Sequence, residues 1–473
     1  MCGTIPTCMS RTIVLWYRND LRVHDHAPLV EAAKSGSRLL PVYVLDPRSW
    51  TTEVWGIPRM SARRVQFLLE SLFDLKQNLE RLGCTLVVRL GKAEQVIPAL
   101  IAEVKADALM MHEEVTSEER VAEARVLRAI PEGVEVRYFW GSTLYDLLDL
   151  PMDVSRIPEV FGPFRRELER DARPRRPLAT PRGLPPLPEG CEAGTIPSLH
   201  DLGVPSLPVD PRAQLPFYGG ETAGLRRLNT WMWEQDCLKT YKQTRNGLIG
   251  DAYSSRLSPW LALGCLSPRW VQAEIERYEA ARIRNEDTYW LTFELLWRDY
   301  FRFWALKHGN ALFRRDGPKK RPYPWKEDRS LFDAWCAGQT GEPFVDACMR
   351  ELLSTGWLSN RGRQNAASYL AKTLGIDWRM GAAWFEYHLL DYDVCSNWGN
   401  WSYVAGVGSD PRDRVFNVVI QAERYDQDGA YVSLWVPELS KLAPHVARAP
   451  YRYPVETRRA GVVLGKTYPI KQT

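Results

Sequence analysis

Asn360, Arg363 and Gln364 in TGWLSNRGRQNAASYLAK are three and four residues apart, so a helix sets all three on one face with Trp357 a turn earlier. A face of amide, guanidinium and indole is not a core face. In HLLDYDVCSNWGNWSY, Asp391 and Asp393 bracket Tyr392. Two aspartates suggest a metal, but no third carboxylate or His stands at useful spacing. A bidentate pair between Asp391 and Arg363 is the expectation instead. The segment DAYSSRLSPWLALGCLSPRW places Ser254, Ser255, Arg256, Leu257 and Ser258 just before a Pro at a helix start. Alone it reads as a capping segment. Beside the other two motifs it reads as an anion cradle, because free amides and the helix dipole favour phosphate.

Tryptophan is the other chemical signal. Of 19 indoles, four precede residue 220 and 15 follow it. They fit a Trp-rich helical core, or stacking on planar ligands and redox use.

Elements must hold these groups in place. From residue 12 to about 140, the short apolar runs TIVLWY, RLLPVYVLD, TLVVRLG, ALMMHEE and VEVRYFW alternate with amphipathic stretches. Five such strands predict an α/β domain with a five-stranded parallel, doubly wound, Rossmann-like sheet, since parallel neighbours need crossover helices. No GxGxxG or GxxxxGK[ST] follows any of them. The polar turn in WYRNDLRVHDHAPL fits a solvated loop with an Asp or His N-cap as well as a ligand loop. Residues 141–220 are Pro-rich with little periodicity and predict a long surface connector. Residues 221–445 carry apolar residues at three-to-four spacing and predict an all-helical domain; the basic, Pro-punctuated residues 446–473 predict a draped or disordered tail.

Composition narrows the class. The 473 residues suffice for two or three domains, and a net charge of +4 is too weak to indicate nucleic-acid binding by itself. No apolar run approaches the roughly 18 residues of a membrane span. Nine scattered Cys without a CxxC pair predict a reducing compartment, and the N-terminal stretch lacks the apolar region of a secretory signal.

The motifs SSRLSPWLALGCLSPR, FELLWRDYFRF, TGWLSNRGRQNAASYLAK and DYDVCSNWGNWSY, in this order, resemble the photolyase/cryptochrome family and its cryptochrome DASH branch. The similarity runs from WYRNDLRVHDHAPL to LWVPELSKL. It implies that the helical domain binds FAD. Tyr241 and residues 254–258 match segments that hold the flavin phosphates. Trp357, Asn360, Arg363, Asp391 and Asp393, with Tyr392 between the aspartates, match those around isoalloxazine, ribose and adenine. Asn397 matches the residue facing flavin N5. Trp401, Trp378 and Trp325 match a chain of indoles that carries an electron from the surface to the flavin.

Glu294, Trp297 and Arg298 match the pocket mouth of pyrimidine-dimer photolyases, where the Glu donates to or protonates the dimer and the Trp stacks on it. Arg245, Arg361 and Arg414 are candidate phosphate contacts. RRDGPKKRPYPWK reads as a local nucleic-acid surface or as a solvated loop. Gln364 and Tyr403 stand where duplex photolyases have Met and Trp. The implied substrate is therefore the cyclobutane pyrimidine dimer in single-stranded DNA, with looped duplex or RNA as variants. Ser359 and Asn360 replace the His pair of (6-4) photolyases, so that chemistry lacks its acid. Glu118 or Glu119 is the implied acceptor for the pterin of a 5,10-methenyltetrahydrofolate antenna, although Phe313 replaces a Lys that contacts the folate in some photolyases. The resemblance thus implies a light-driven deoxyribodipyrimidine photolyase, monomeric, cytoplasmic in a bacterium and organellar or nuclear in a eukaryote. The alternative is a blue-light photoreceptor that signals through flavin redox state, against which the lack of a long C-terminal extension leans.

Overall fold

The computed structural model describes residues 11–35 and 38–471, so Cys2, Cys8 and the N-terminal stretch read above lie outside it. Strands β1 (Thr12–Tyr17), β2 (Arg38–Leu45), β3 (Val87–Leu90), β4 (Ala108–His112) and β5 (Glu135–Phe139) form one sheet in the order β3-β2-β1-β4-β5, every pair parallel. Helices α1 (Ala27–Ser35), α2 (Ala62–Arg81), α3 (Ala93–Glu103) and α4 (Ser117–Ala129) make the crossovers. β1 and β4 are buried almost throughout, as expected of central strands covered on both faces. A short antiparallel hairpin, Glu53–Val54 against Ile57–Pro58, was not expected.

The strand order reverses between β1 and β4, the position where open α/β sheets usually bind ligands. Here the crevice is filled by the polar turn after β1. Asp20, Arg22, His24, Asp25 and His26 are all buried, which corrects the solvated-loop reading. Their partners come from far along the chain. Val23 and His24 donate backbone N–H groups to Glu221, Arg22 donates to the Gly264 carbonyl at 2.9 Å, and Asp25 accepts from Arg269 at 2.8 and 2.9 Å. Gly264, at φ +64°, lies so close that a Cβ would stand 2.1 Å from the Asn19 carbonyl oxygen. His26, lowered to about 4 by burial, takes the amide of Leu29 on Nδ1 and meets Asp20 at 2.9 Å through Nε2, so both ring nitrogens are committed. The turn is a buried latch between the sheet and the helical region.

Two further expectations change. The connector is not featureless: FGPFRRELERD forms α5 (Phe161–Asp171), with Phe161, Phe164 and Leu168 buried on one face. Pro163 sits in its first turn, where Pro is tolerated. The tail is built in. Tyr468 is buried and donates to Asp346 at 2.6 Å, and Lys471 pairs with Glu342 at 2.8 Å. From residue 221 onward the described structure is helical and includes α6 (Glu221–Asn229), α7 (Pro268–Ala281), α8 (Glu286–His308), α9 (Asn360–Ser368), α10 (Trp378–His388) and α11 (Val394–Ala405). No helix among the described residues is long and apolar enough to cross a membrane.

Candidate functional site

Asp391 gathers the first cluster. Its Oδ2 accepts from Arg363 at 2.8 Å and from Ser258 Oγ at 2.6 Å. The expected bidentate pair is corrected to a single contact, because Arg363 spends its Nε on the Leu358 carbonyl and Ser258 shares the oxygen. Asp391 Oδ1 and Trp357 Nε1 are buried without a hydrogen-bond partner among the described residues. Arg256 stacks over Trp357 at 4.3 Å and donates to the Gly250 carbonyl. The helix after Leu257 spans only Ser258–Ala262, too short for its dipole to dominate. Loop shape comes instead from Arg227, which sequence reasoning missed: it donates to the carbonyls of Asp251, Ser254 and Ser255. Asn360, exposed, opens α9, whose N-cap is Ser359. Asp393 is turned elsewhere. It caps α11 through Ser396 N at 2.8 Å and pairs with Arg302 at 2.5 Å; burial works against its charge, but Arg302 and Arg298 hold it at about 2. Tyr392 carries the Arg64 guanidinium over its ring at 4.8 Å and so faces the α/β domain.

α10 and α11 position the indoles. Asn397, one turn before Trp401 on α11, donates to the Ala382 carbonyl of α10 at 3.0 Å. Trp401 lies against Gly381, where a Cβ would stand 2.2 Å from the indole, and Gly381 is one turn from Trp378. Trp378 and Trp325 then donate to the same acceptor, the Arg315 carbonyl, at 3.1 and 3.3 Å. Trp378 and Trp325 thus share one acceptor, and Trp401 packs against α10 one turn from Trp378. The exposures of Trp401, Trp378 and Trp325 are 2%, 0% and 7%, so all three indoles are buried.

α8 positions the mouth. Glu294, Trp297, Arg298 and Arg302 recur at three-to-four spacing along it. Arg245 lies 2.6 Å from Glu294, whose carboxyl burial pushes up against that attraction. The hydroxyl of Tyr241, pushed up to about 12 by burial and by Glu294, faces Ser254 and Arg245. Trp297 is stacked on Phe161 of α5, ring centroids 3.8 Å apart, and meets Tyr403 edge-on. One face of the indole is therefore taken, by a residue in a stretch read as connector. Arg414 donates to Tyr403 Oη at 2.8 Å, and Arg361 donates to Gln364 at 2.9 Å and to Asn246 at 3.0 Å. Burial lowers Arg361, and Arg245, Arg424 and Arg414 lower it further, which marks a patch of positive charge. Arg298, matched to the pocket mouth, is instead engaged within the protein: its amino groups donate to the Ser142 and Leu261 carbonyls, tying α8 to the start of the connector.

At the domain seam, Glu118 pairs with Arg59 at 2.6 Å, and Arg59 also pairs with Glu386. Glu119, pushed up by burial and by Glu114, accepts from Thr116. Phe313 packs edge-on against Trp398.

Residues 13–186 match the DNA photolyase family, and residues 290–472 match the FAD binding domain of DNA photolyase. A cryptochrome DASH of Gloeobacter violaceus is 53% identical over 97% of this chain and 92% of its own length. The chain belongs to the photolyase/cryptochrome family, in its cryptochrome DASH branch. Solved structures agree. A Synechocystis cryptochrome superposes with a TM-score of 0.95 at 46% identity, covering 99% of this chain and 97% of that one. A class III photolyase from Agrobacterium tumefaciens superposes at 0.84 with 31% identity, covering 99% and 95%. A cryptochrome DASH fold with this FAD-binding domain is that of a light-related flavoprotein. The residues present fit FAD: a buried acceptor on Asp391, a buried donor on Trp357, and two guanidiniums, Arg256 and Arg363, in one cluster.

Proposed function

We propose that this protein is a light-driven photolyase acting on cyclobutane pyrimidine dimers in single-stranded DNA. What supports the reading is a buried Glu294 against Arg245, together with Trp378 and Trp325 on one carbonyl and Trp401 a turn of α11 beyond Asn397. FAD, when bound, supplies the one-electron chemistry that light drives. Asp391, Trp357, Arg363, Arg256 and Ser258 would hold it, and Asn397 would present its amide oxygen, since its amide nitrogen is bonded to Ala382. Trp401, Trp378 and Trp325 would pass an electron inward from an outside donor.

At the mouth, Glu294 is suited to donate a proton or hydrogen bond, because burial raises its carboxyl while Arg245 keeps it oriented. Trp297, backed by Phe161, offers its other face to a base, and Arg245, Arg361 and Arg414 supply charge for the backbone. Gln364 and Tyr403 make the remaining wall polar, each already bonded to an arginine. Such a wall offers little to offset the unstacking of a duplex, which favours strands already open. Glu119 is the carboxyl that would meet a methenyltetrahydrofolate antenna.

The test is splitting of a thymine dimer in a single-stranded oligonucleotide under blue light with a reductant. Splitting is expected in light and not in the dark, and Glu294→Ala is expected to slow it about a hundredfold. Flavin bands with no splitting in light would contradict the proposal and favour a photoreceptor.

A further inference from the structure

The line of indoles ends on Trp325, which is only 7% exposed, so an outside reductant does not meet its ring freely. The next aromatic outward is Tyr323, half-buried, with its ring centroid 4.9 Å from that of Trp325. We propose that Tyr323 extends the relay by one ring and is its terminal donor, giving its phenolic proton to Asp413. The proposal rests on the relay described above and goes one residue beyond it.

Proton partners distinguish the rings. The N–H groups of Trp378 and Trp325 both point at the Arg315 carbonyl, which is not a base. The Tyr323 hydroxyl donates to the Asp413 carboxylate. Burial raises Asp413, but Lys372, bonded to its Oδ1 at 2.5 Å, the Tyr323 hydroxyl, and Arg321 at 3.0 Å hold it below the usual range, so it is ionised and able to take a proton. Lys372 also stands over the Tyr323 ring at 4.3 Å and Arg321 at 5.1 Å. Two cations against the ring disfavour a positively charged radical there. Oxidation of this phenol is therefore tied to loss of its proton.

The step balances. With FAD bound and excited by light as the one-electron oxidant, Trp325 would lose an electron inward through Trp378 and Trp401 and be left as a radical cation. Trp325 takes one electron from Tyr323 and the phenol O–H bond breaks. The proton passes to Asp413, giving a neutral indole, a neutral tyrosyl radical and a carboxylic acid. A thiol reductant outside then returns one electron to Tyr323 while Asp413 returns the proton.

Flash photolysis with time-resolved electron paramagnetic resonance on the FAD-loaded protein tests this. In wild type, a tryptophanyl signal is expected to give way to a tyrosyl signal, more slowly in heavy water. Tyr323→Phe is expected to stop at the tryptophanyl radical and to shorten the life of the separated charges about tenfold, since no proton transfer then blocks their return. Asp413→Asn, which keeps an acceptor but not a base, is expected to delay or abolish the tyrosyl signal with Tyr323 intact. A wild-type trace that ends on tryptophanyl, or a tyrosyl signal that survives Tyr323→Phe, overturns the proposal and leaves the indole relay standing. An unchanged tyrosyl rate in Asp413→Asn overturns the role of Asp413. Absence of any aromatic radical in wild type, matching Trp401→Phe, overturns the relay and this extension together.

Discussion

Asp391 accepts from Ser258 and Arg363 through one oxygen, so Asp391→Ala removes two hydrogen bonds at once. Asp391 is 3% exposed but Arg363 is 25% exposed, so water reaches the stranded guanidinium and the cost is about 2 to 3 kcal/mol, below that of a fully buried charge. The variant is expected to fold, to unfold at lower urea, and to purify with less flavin per protein; wild-type flavin content and midpoint would contradict this. Glu351, on the helix Pro343–Thr355, lies near Arg256 and Arg363, accepts from Tyr431 at 2.6 Å, and is raised from 4.5 to about 7, chiefly by burial. Because the folded state holds this proton more tightly than the unfolded chain, its contribution is full below pH 4.5 and is lost as pH rises to about 7. Glu351→Gln is expected to remove up to about 3 kcal/mol of that decline, read from denaturation midpoints across the window. Neither Glu351 nor Arg227 carries a local sequence signal. Each acts on groups brought to it only by folding, whereas Asp391 and Arg363 were legible because their own motifs are polar where a core should be apolar.

The elements divide in the same way. The five strands were legible because buried parallel strands are continuous apolar runs, and the helices after residue 221 because their periodicity is long. α5 was not, since Pro163 and its Pro-rich neighbours hide a short amphipathic face. Of the two readings of the turn after β1, the solvated one fails for a physical reason: a run of charges is normally solvated, and what buries this one is Glu221, Gly264 and Arg269 some 200 residues away. Asp25 is the test of that latch. It is fully buried, pairs with Arg269 through two hydrogen bonds and accepts from Ser267 and Leu178. Asp25→Ala leaves a guanidinium buried without its counter-charge and is expected to cost about 3 to 5 kcal/mol. In urea, probes in the sheet and in the helical region are expected to separate in the variant and coincide in wild type. A single unchanged transition would show that the latch does not couple the two regions.

At the scale of the whole molecule, the buried turn after β1 ties the α/β domain to the helical domain whose α8, α9, α10 and α11 carry the residues that the proposed function assigns to flavin, relay and mouth. Photolyases extrude their target from the stack, and that costs a few kcal/mol in a duplex and far less in an open strand. With Gln364 and Tyr403 in the wall, the proposed function predicts a preference of about 2 kcal/mol, or roughly thirtyfold, for open strands. The direct measurement is the rate of light-driven dimer splitting on one oligonucleotide, alone and annealed to its complement, at matched salt because phosphate contacts make affinity salt-dependent. Splitting about thirtyfold faster on the single strand is the expected result; equal rates on the two forms, or no splitting on either, would contradict it.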